Sequence, residues 1–154
     1  MPVKLSEMLN PACIELNLKE KKKPEILREM VFLISGSLNI DDRDTLIEAL
    51  LEREKISSTG IGNGIAIPHC LTPEVDRTHI AFGRKPGGAR FDSVDGKPVS
   101  LFFLLVGPED NPNLHLKVLS KLARYLHDGG FCRRLRKARS EEEVLNAFRS
   151  REEV

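Results

Sequence analysis

Tryptophan is missing from this chain, and only one tyrosine is present among aromatics that total 5% of residues. Broad stacking platforms for bases or sugars are therefore not on offer. Neither acid nor base dominates: 24 Lys and Arg stand against 23 Asp and Glu, for a net charge of +1. That balance argues against bulk electrostatic attraction to nucleic acid or to a membrane surface. No apolar run approaches the ~20 residues of a membrane span; the longest, Val99 to Val106, is strand-sized. The N-terminal "MPVKLSEMLNP" lacks the apolar region of a signal peptide, so a cytoplasmic protein with no membrane insertion is expected. The cysteines are Cys13, Cys70 and Cys132, odd in number and without a Cys-x-x-Cys pair. They read as reduced thiols rather than a disulfide framework, and neither a metal nor a cofactor site is expected from them.

What the chain does have is enough length and apolar content for one core. It holds 154 residues, 40% hydrophobic and 31% charged, within the size of a common domain. There is no internal repeat and no linker, so residues 1–154 are expected to form one domain. "CIELNLK" (13–19) alternates like a half-buried strand, and Pro24 opens a helical pattern that runs through "PEILREMVFLISGSL" (24–38). "DDRDTLIEALLEREK" (41–55) has early acids and late bases, as a helix prefers. "THIAFGRK" (78–85) and "VSLFFLLVG" (99–107) read as strands, with "KPGGARFDSVDGKP" (85–98) a loop between them.

"NPNLHLKVLSKLARYLHDGG" (111–130) gives the clearest helix: Asn111 caps it, Pro112 fits its first position, and Gly129-Gly130 stop it. Its apolar stripe is read as Leu116, Leu119, Leu122, Ala123 and Leu126. The basic "FCRRLRKA" (131–138) follows, then "SEEEVLNAF" (140–148), where Ser140 and Glu143 have capping-box spacing. The basic segment is read as a solvated helix face, since Glu141 to Glu143 follow at once. Helices interspersed with strands suggest an α/β (α+β) sheet covered by helices.

"SSTGIGNGIAIPHC" (57–70) stands apart. Gly60, Gly62 and Gly64 invite a nucleotide reading, but the spacing is not Gly-x-Gly-x-x-Gly and no Lys-Ser/Thr pair follows. Both nucleotide motifs also need a helix directly after the glycines, and here "IAIP" follows. The remaining view is a glycine-rich turn feeding a short strand that ends at Pro68-His69. Proline stiffens the backbone there and can hold an imidazole in one orientation. A nucleophilic histidine needs that: a neutral ring with one nitrogen free and the other held by a fixed acceptor. Backbone N–H groups of Gly60, Gly62, Asn63 and Gly64 could make an anion nest. On these local features, a histidine without a task stands level with a reactive one. His115 falls in the first turn of the Pro112 helix, where unpaired N–H groups and the helix dipole favour an anion. Arg53 sits at the edge of its helix's apolar stripe, a place for a guanidinium with a partner to bind, such as a phosphoryl group.

Taken together, these residues resemble a family. "REKISSTGIGNGIAIPH" (53–69) is similar to the active-site signature of the enzyme IIA domains of the bacterial phosphoenolpyruvate-dependent sugar phosphotransferase system, of the fructose, mannitol and nitrogen-regulatory class. "HLKVLSKLARYL" matches that family's second active-site histidine at His115, and "FCRRLRKARSEEEVLNAF" resembles the nitrogen-type branch. The resemblance implies a three-layer α/β/α sandwich with a mixed, about five-stranded sheet. It implies a phosphotransferase that accepts a phosphoryl group on Nε2 of His69 from an HPr-like phosphocarrier, with no cofactor or metal. Arg53 and His115 would answer the charge of the group, with phosphate-binding N–H groups from Gly60, Gly62, Asn63 and Gly64. The acceptor would be a IIB domain, in sugar uptake, or a regulatory target such as a transporter or sensor kinase. Cys70 departs from the glycine expected in many nitrogen-type members, and an inert small residue is the expectation for it.

Overall fold

The computed structural model describes residues 3–36 and 42–152. Ser37, Leu38 and Asp41, at the edges of two expected helices, lie outside the described residues. A short helix, α1 (Leu5–Met8), leads into strand β1 (Leu9–Glu15), which starts earlier than the alternation of residues 13–19 suggests. That alternation is not one face of one strand. Ile14 packs on one side of the sheet and Leu18 on the other, because the chain bends after Glu15. Leu18 then re-engages through its N–H on the Arg84 carbonyl at 2.8 Å.

Helices α2 (Lys23–Ser35) and α3 (Arg43–Ile56) form as their patterns predict. Pro24 occupies the first turn of α2, and Asp42 caps α3 by accepting from the Thr45 N–H at 3.0 Å. The distinctive stretch then makes three short strands: β2 (Gly60–Gly62), β3 (Ile65–Ala66) and β4 (His69–Thr72). Two longer ones follow, β5 (His79–Ala89) and β6 (Val99–Pro108). β5 runs past Lys85 into the expected loop because Gly87 and Gly88, both at positive φ, bulge the strand and let Ala89 pair with Val99. Helices α4 (Pro112–Leu126), α5 (Gly129–Lys137) and α6 (Glu141–Glu152) complete the chain. Gly129-Gly130 do more than stop α4. Asp128 accepts from the Gly130 and Phe131 N–H groups, so the two glycines begin α5. Ser140 caps α6 through the Glu143 N–H at 3.2 Å, as the capping box requires.

The sheet is mixed and has six strands among the described residues, one more than expected, because the glycine stretch contributes three. Its order is β1-β5-β6-β3-β2, with β4 also beside β6. Alternate residues of β6 point to opposite faces. Leu101, Phe103 and Leu105 join Phe82 under α4, α5 and α6, while Phe102, Leu104 and Val106 join Ala81 under α2 and α3. Two apolar cores, one on each face, make the three layers. The stripe that α4 buries is His115, Val118, Leu122, Tyr125 and Leu126. Leu116 and Ala123, expected in that stripe, are exposed. The packed face is set by the Val118–Leu122 ridge, which places position 115 inward and position 116 outward. No helix among the described residues is long and apolar enough to cross a membrane.

Candidate active site

His69 begins β4 rather than ending the strand before it. Pro68 has no N–H to continue a ladder, so it breaks the path along β6 into two segments. β3 pairs with β6 as Ile65↔Leu101, and β4 resumes the pairing as His69↔Leu105. The Leu105 N–H bonds the Pro68 carbonyl at 3.0 Å and fixes the joint. The imidazole then folds back on its own chain, with Nδ1 2.7 Å from the Ile67 carbonyl. A carbonyl only accepts, so Nδ1 must carry the proton and Nε2 keeps its lone pair.

His115 arrives from a distant part of the chain. Asn111 caps α4 by accepting from the Leu114 N–H at 3.3 Å, and this places His115 at the close of the first turn. The two rings stand with centroids 5.5 Å apart, inclined at 47°. Burial lowers both imidazole pKa values below the ordinary value. The Arg53 charge lowers that of His69 further, opposed by the Ile67 carbonyl and weakly by Glu54. The neighbouring His69 adds to the lowering at His115. Both rings are consequently neutral at pH 7, the state a nitrogen nucleophile requires.

Arg53 lies at the C-terminal end of α3, partly exposed, with Nη1 donating to the Ser57 carbonyl at 2.8 Å. That bond uses one of its five donors and leaves others for an anion. Its field reaches His69, so three residues far apart in the sequence share one locality.

The glycine turn plays a different part from the expected nest. The Gly60 N–H bonds Ser58 Oγ at 3.0 Å, the Gly62 N–H bonds Ser93 Oγ at 3.1 Å, and the Asn63 N–H bonds the Asp95 carboxylate at 3.0 Å. Those three donors are committed within the protein, and the Asp95 charge would repel a second anion beside Asn63. The expectation of phosphate-binding N–H groups at Gly60, Gly62 and Asn63 is corrected accordingly. The stretch is a tight hairpin, with Asn63 and Gly64 at positive φ joining β2 to β3. Gly64 is enclosed as well: its carbonyl accepts from the Ser100 and Leu101 N–H groups, and a Cβ there would stand 3.0 Å from Arg136 Nη2.

Several residues that hold this frame escaped the sequence reading. Arg136 of the basic segment is no idle solvated residue, since its Nη2 donates to the Asn63 carbonyl at 2.6 Å. Glu54 is 8% exposed and accepts from the Thr59 N–H and from Lys23 Nζ, each at 3.0 Å. It ties α2, α3 and the entry to β2 together. The only advance signal for it was an acid adjoining Arg53 on the inward side of α3. Cys70, next to His69, has its thiol pushed up to about 12 by burial, so it stays protonated and inert.

Comparison with known proteins identifies the family of this chain. Residues 7–151 match the family model described as "Phosphoenolpyruvate-dependent sugar phosphotransferase system, EIIA 2". The chain is 39% identical over 144 residues to the fructose-specific EIIABC component of Bacillus subtilis, covering 94% of this chain but only 23% of that relative. The crystal structure of nitrogen regulatory protein IIA-Ntr from Neisseria meningitidis superposes with a TM-score of 0.86 at 36% identity, covering 93% of this chain and 97% of that one. The complex of enzyme IIAMTL and phosphorylated enzyme IIBMTL from Escherichia coli gives a TM-score of 0.76 at 25% identity, over 92% of this chain and 96% of that one. A polarised histidine at a strand start, a second histidine against it and an arginine at the rim thus sit on a shared fold, and the chain belongs to the EIIA type 2 family of the phosphoenolpyruvate-dependent sugar phosphotransferase system.

Proposed function

We propose that this protein carries a phosphoryl group on Nε2 of His69, received from an HPr-like phosphocarrier, and that its main role is nitrogen regulation. The observation that carries the reading is the Nδ1 contact with the Ile67 carbonyl, which leaves Nε2 as the nucleophilic nitrogen. The Nε2 lone pair attacks phosphorus on the donor's phosphohistidine. The new N–P bond forms as the old one breaks, and the donor nitrogen keeps the bonding electron pair. Protein chemistry of this kind needs mostly positioning and charge stabilisation. Arg53 answers the negative charge with free guanidinium donors, and His115 stands close enough to donate one hydrogen bond to a phosphoryl oxygen. The reaction belongs to the cytoplasm, where such a donor is made.

His69→Ala tests the assignment. With phosphoenolpyruvate, enzyme I and an HPr homologue, the wild-type chain takes label and the variant takes none; a labelled variant overturns the reading. Likeness to a nitrogen regulatory protein over nearly its whole length supports the regulatory role. The 39% identity to a fructose-specific component favours a second reading, in which the group passes to a IIB domain for sugar uptake. Offering the phosphorylated protein to IIB domains separates the two. Rapid discharge to one of them supports transport, and retention of the label supports regulation.

A further inference from the structure

Behind the two histidines lie two buried polar atoms with no hydrogen-bond partner: Nδ1 of His115 and Oγ1 of Thr78. His115 is 5% exposed and Thr78 is 2% exposed. Buried polar groups are normally paired, and leaving one unpaired costs about 1–3 kcal/mol.

The two atoms converge on one spot. A Cβ placed on Gly107 would stand 2.9 Å from His115 Nδ1 and 3.2 Å from Thr78 Oγ1. Strand register explains why. His79 of β5 pairs with Val106 of β6 in antiparallel fashion, so one step further Thr78 falls opposite Gly107. Residues directly opposite in such a pair project from the same face of the sheet. His115, coming down from α4, lays its ring on that face where the glycine has no side chain. The third neighbour of the spot is Leu71 Cδ2 at 3.5 Å, which has no polar atom to offer either group.

We infer that Thr78 is a positioning residue for the transfer: the two atoms make no hydrogen bond in this structure, and closing the space over Gly107 lets the Thr78 hydroxyl donate to Nδ1 of His115 and hold the ring proton on Nε2, the nitrogen left to face the site. The inference rests on the phosphoryl-carrier reading given above. A neutral imidazole has one donor and one acceptor nitrogen, and the partner at its back decides which is which. His69 has a carbonyl at its back, which makes its Nε2 an acceptor of the phosphoryl group. A hydroxyl can donate or accept, but that of Thr78 has no other acceptor for its proton, so donation to Nδ1 is the pairing that satisfies both groups, and it makes the His115 Nε2–H a donor to the phosphoryl oxygens. Two adjacent rings of identical chemistry thereby take up complementary roles.

Nitrogen-15 NMR of histidine-labelled protein reads the tautomers directly. In the wild-type chain, Nδ1 of His115 is expected unprotonated and Nε2 protonated. Thr78→Val keeps the shape and removes the hydroxyl. It is expected to mix the His115 tautomers and to slow phosphoryl uptake from a phosphorylated HPr homologue about tenfold, the worth of one hydrogen bond. Thr78→Ser is expected to restore both. A wild-type His115 with the proton on Nδ1 overturns the inference without recourse to any variant. So does a folded Thr78→Val protein with the wild-type tautomer and the wild-type rate. If the wild-type protein takes no phosphoryl group at all, the carrier reading fails, while the tautomer populations still decide the place of Thr78.

Discussion

An imidazole carries a phosphoryl group well when it is neutral, oriented and near a positive charge, and at His69 these three conditions have separate sources. Orientation comes from the adjoining Ile67 carbonyl, neutrality from burial and from Arg53. Arg53→Ala should therefore have two effects. Phosphoryl uptake slows by about 10–100-fold, as for loss of a charge-stabilising donor. The His69 titration, followed by NMR, moves upward toward the ordinary imidazole value of ~6.5, because a positive neighbour has gone. A midpoint that stays put or falls would mean that the guanidinium field does not reach the ring. His115→Ala should slow uptake similarly while leaving the fold intact, checked by circular dichroism. His69, His115 and Arg53 stand out in the sequence as a histidine fixed after proline, a histidine in a first helical turn and an arginine on an apolar edge, and the fold sets the two rings 5.5 Å apart. Glu54 and Thr78 gave no comparable signal. Their significance lies in partners that only the fold brings near, Lys23 for one and His115 for the other.

At the scale of elements, the hairpin of β2 and β3 is the part that sequence reasoning placed correctly and understood incompletely. Its glycines were legible as a turn, and the nucleotide readings fell away because no helix follows them. Which partners its N–H groups take was not legible, since Ser93 and Asp95 lie 31 and 32 residues further on, beyond β3, β4 and β5. Gly60 shows what the packing demands. A Cβ there would stand 2.9 Å from Ser93 Cα, a backbone atom that cannot swing aside. Gly60→Ala should cost about 1–3 kcal/mol, the usual range for overpacking, measured by urea unfolding. Wild-type stability would show that the segment around Ser93 yields freely. Strand ends were less legible than strand centres, as β1 and β5 illustrate. In β1 pairing with β5 outweighed local alternation, and in β5 the glycine bulge carried the strand on to Ala89.

For the whole molecule, burial of neutral histidines links stability to pH. His69, His79 and His115 all have pKa values lowered chiefly by burial. The unfolded chain takes up protons at these positions below ~6.5, whereas the folded chain does so only at lower pH. The contribution is thus complete above ~6.5 and is lost as pH falls from there through the folded values. Urea midpoints should be lower at pH 5.5 than at pH 7.5; equal or reversed midpoints would contradict the linkage. The layered architecture was legible from the alternation of helix and strand patterns and from the apolar "VSLFFLLV" run, whose residues now line both cores.

That run, as β6, has a consequence for how the site comes into being. Its successive residues hold the hairpin at Leu101, His69 at Leu105, β5 at Val106 and the ring of His115 above Gly107. The strand works as a ruler: each part of the candidate site is read off at its own mark. No part can reach its mark until the strands on either side have docked, so competence is a property of the finished sheet rather than of any fragment. On the proposed function, uptake of label from a phosphorylated donor then doubles as a count of fully assembled molecules.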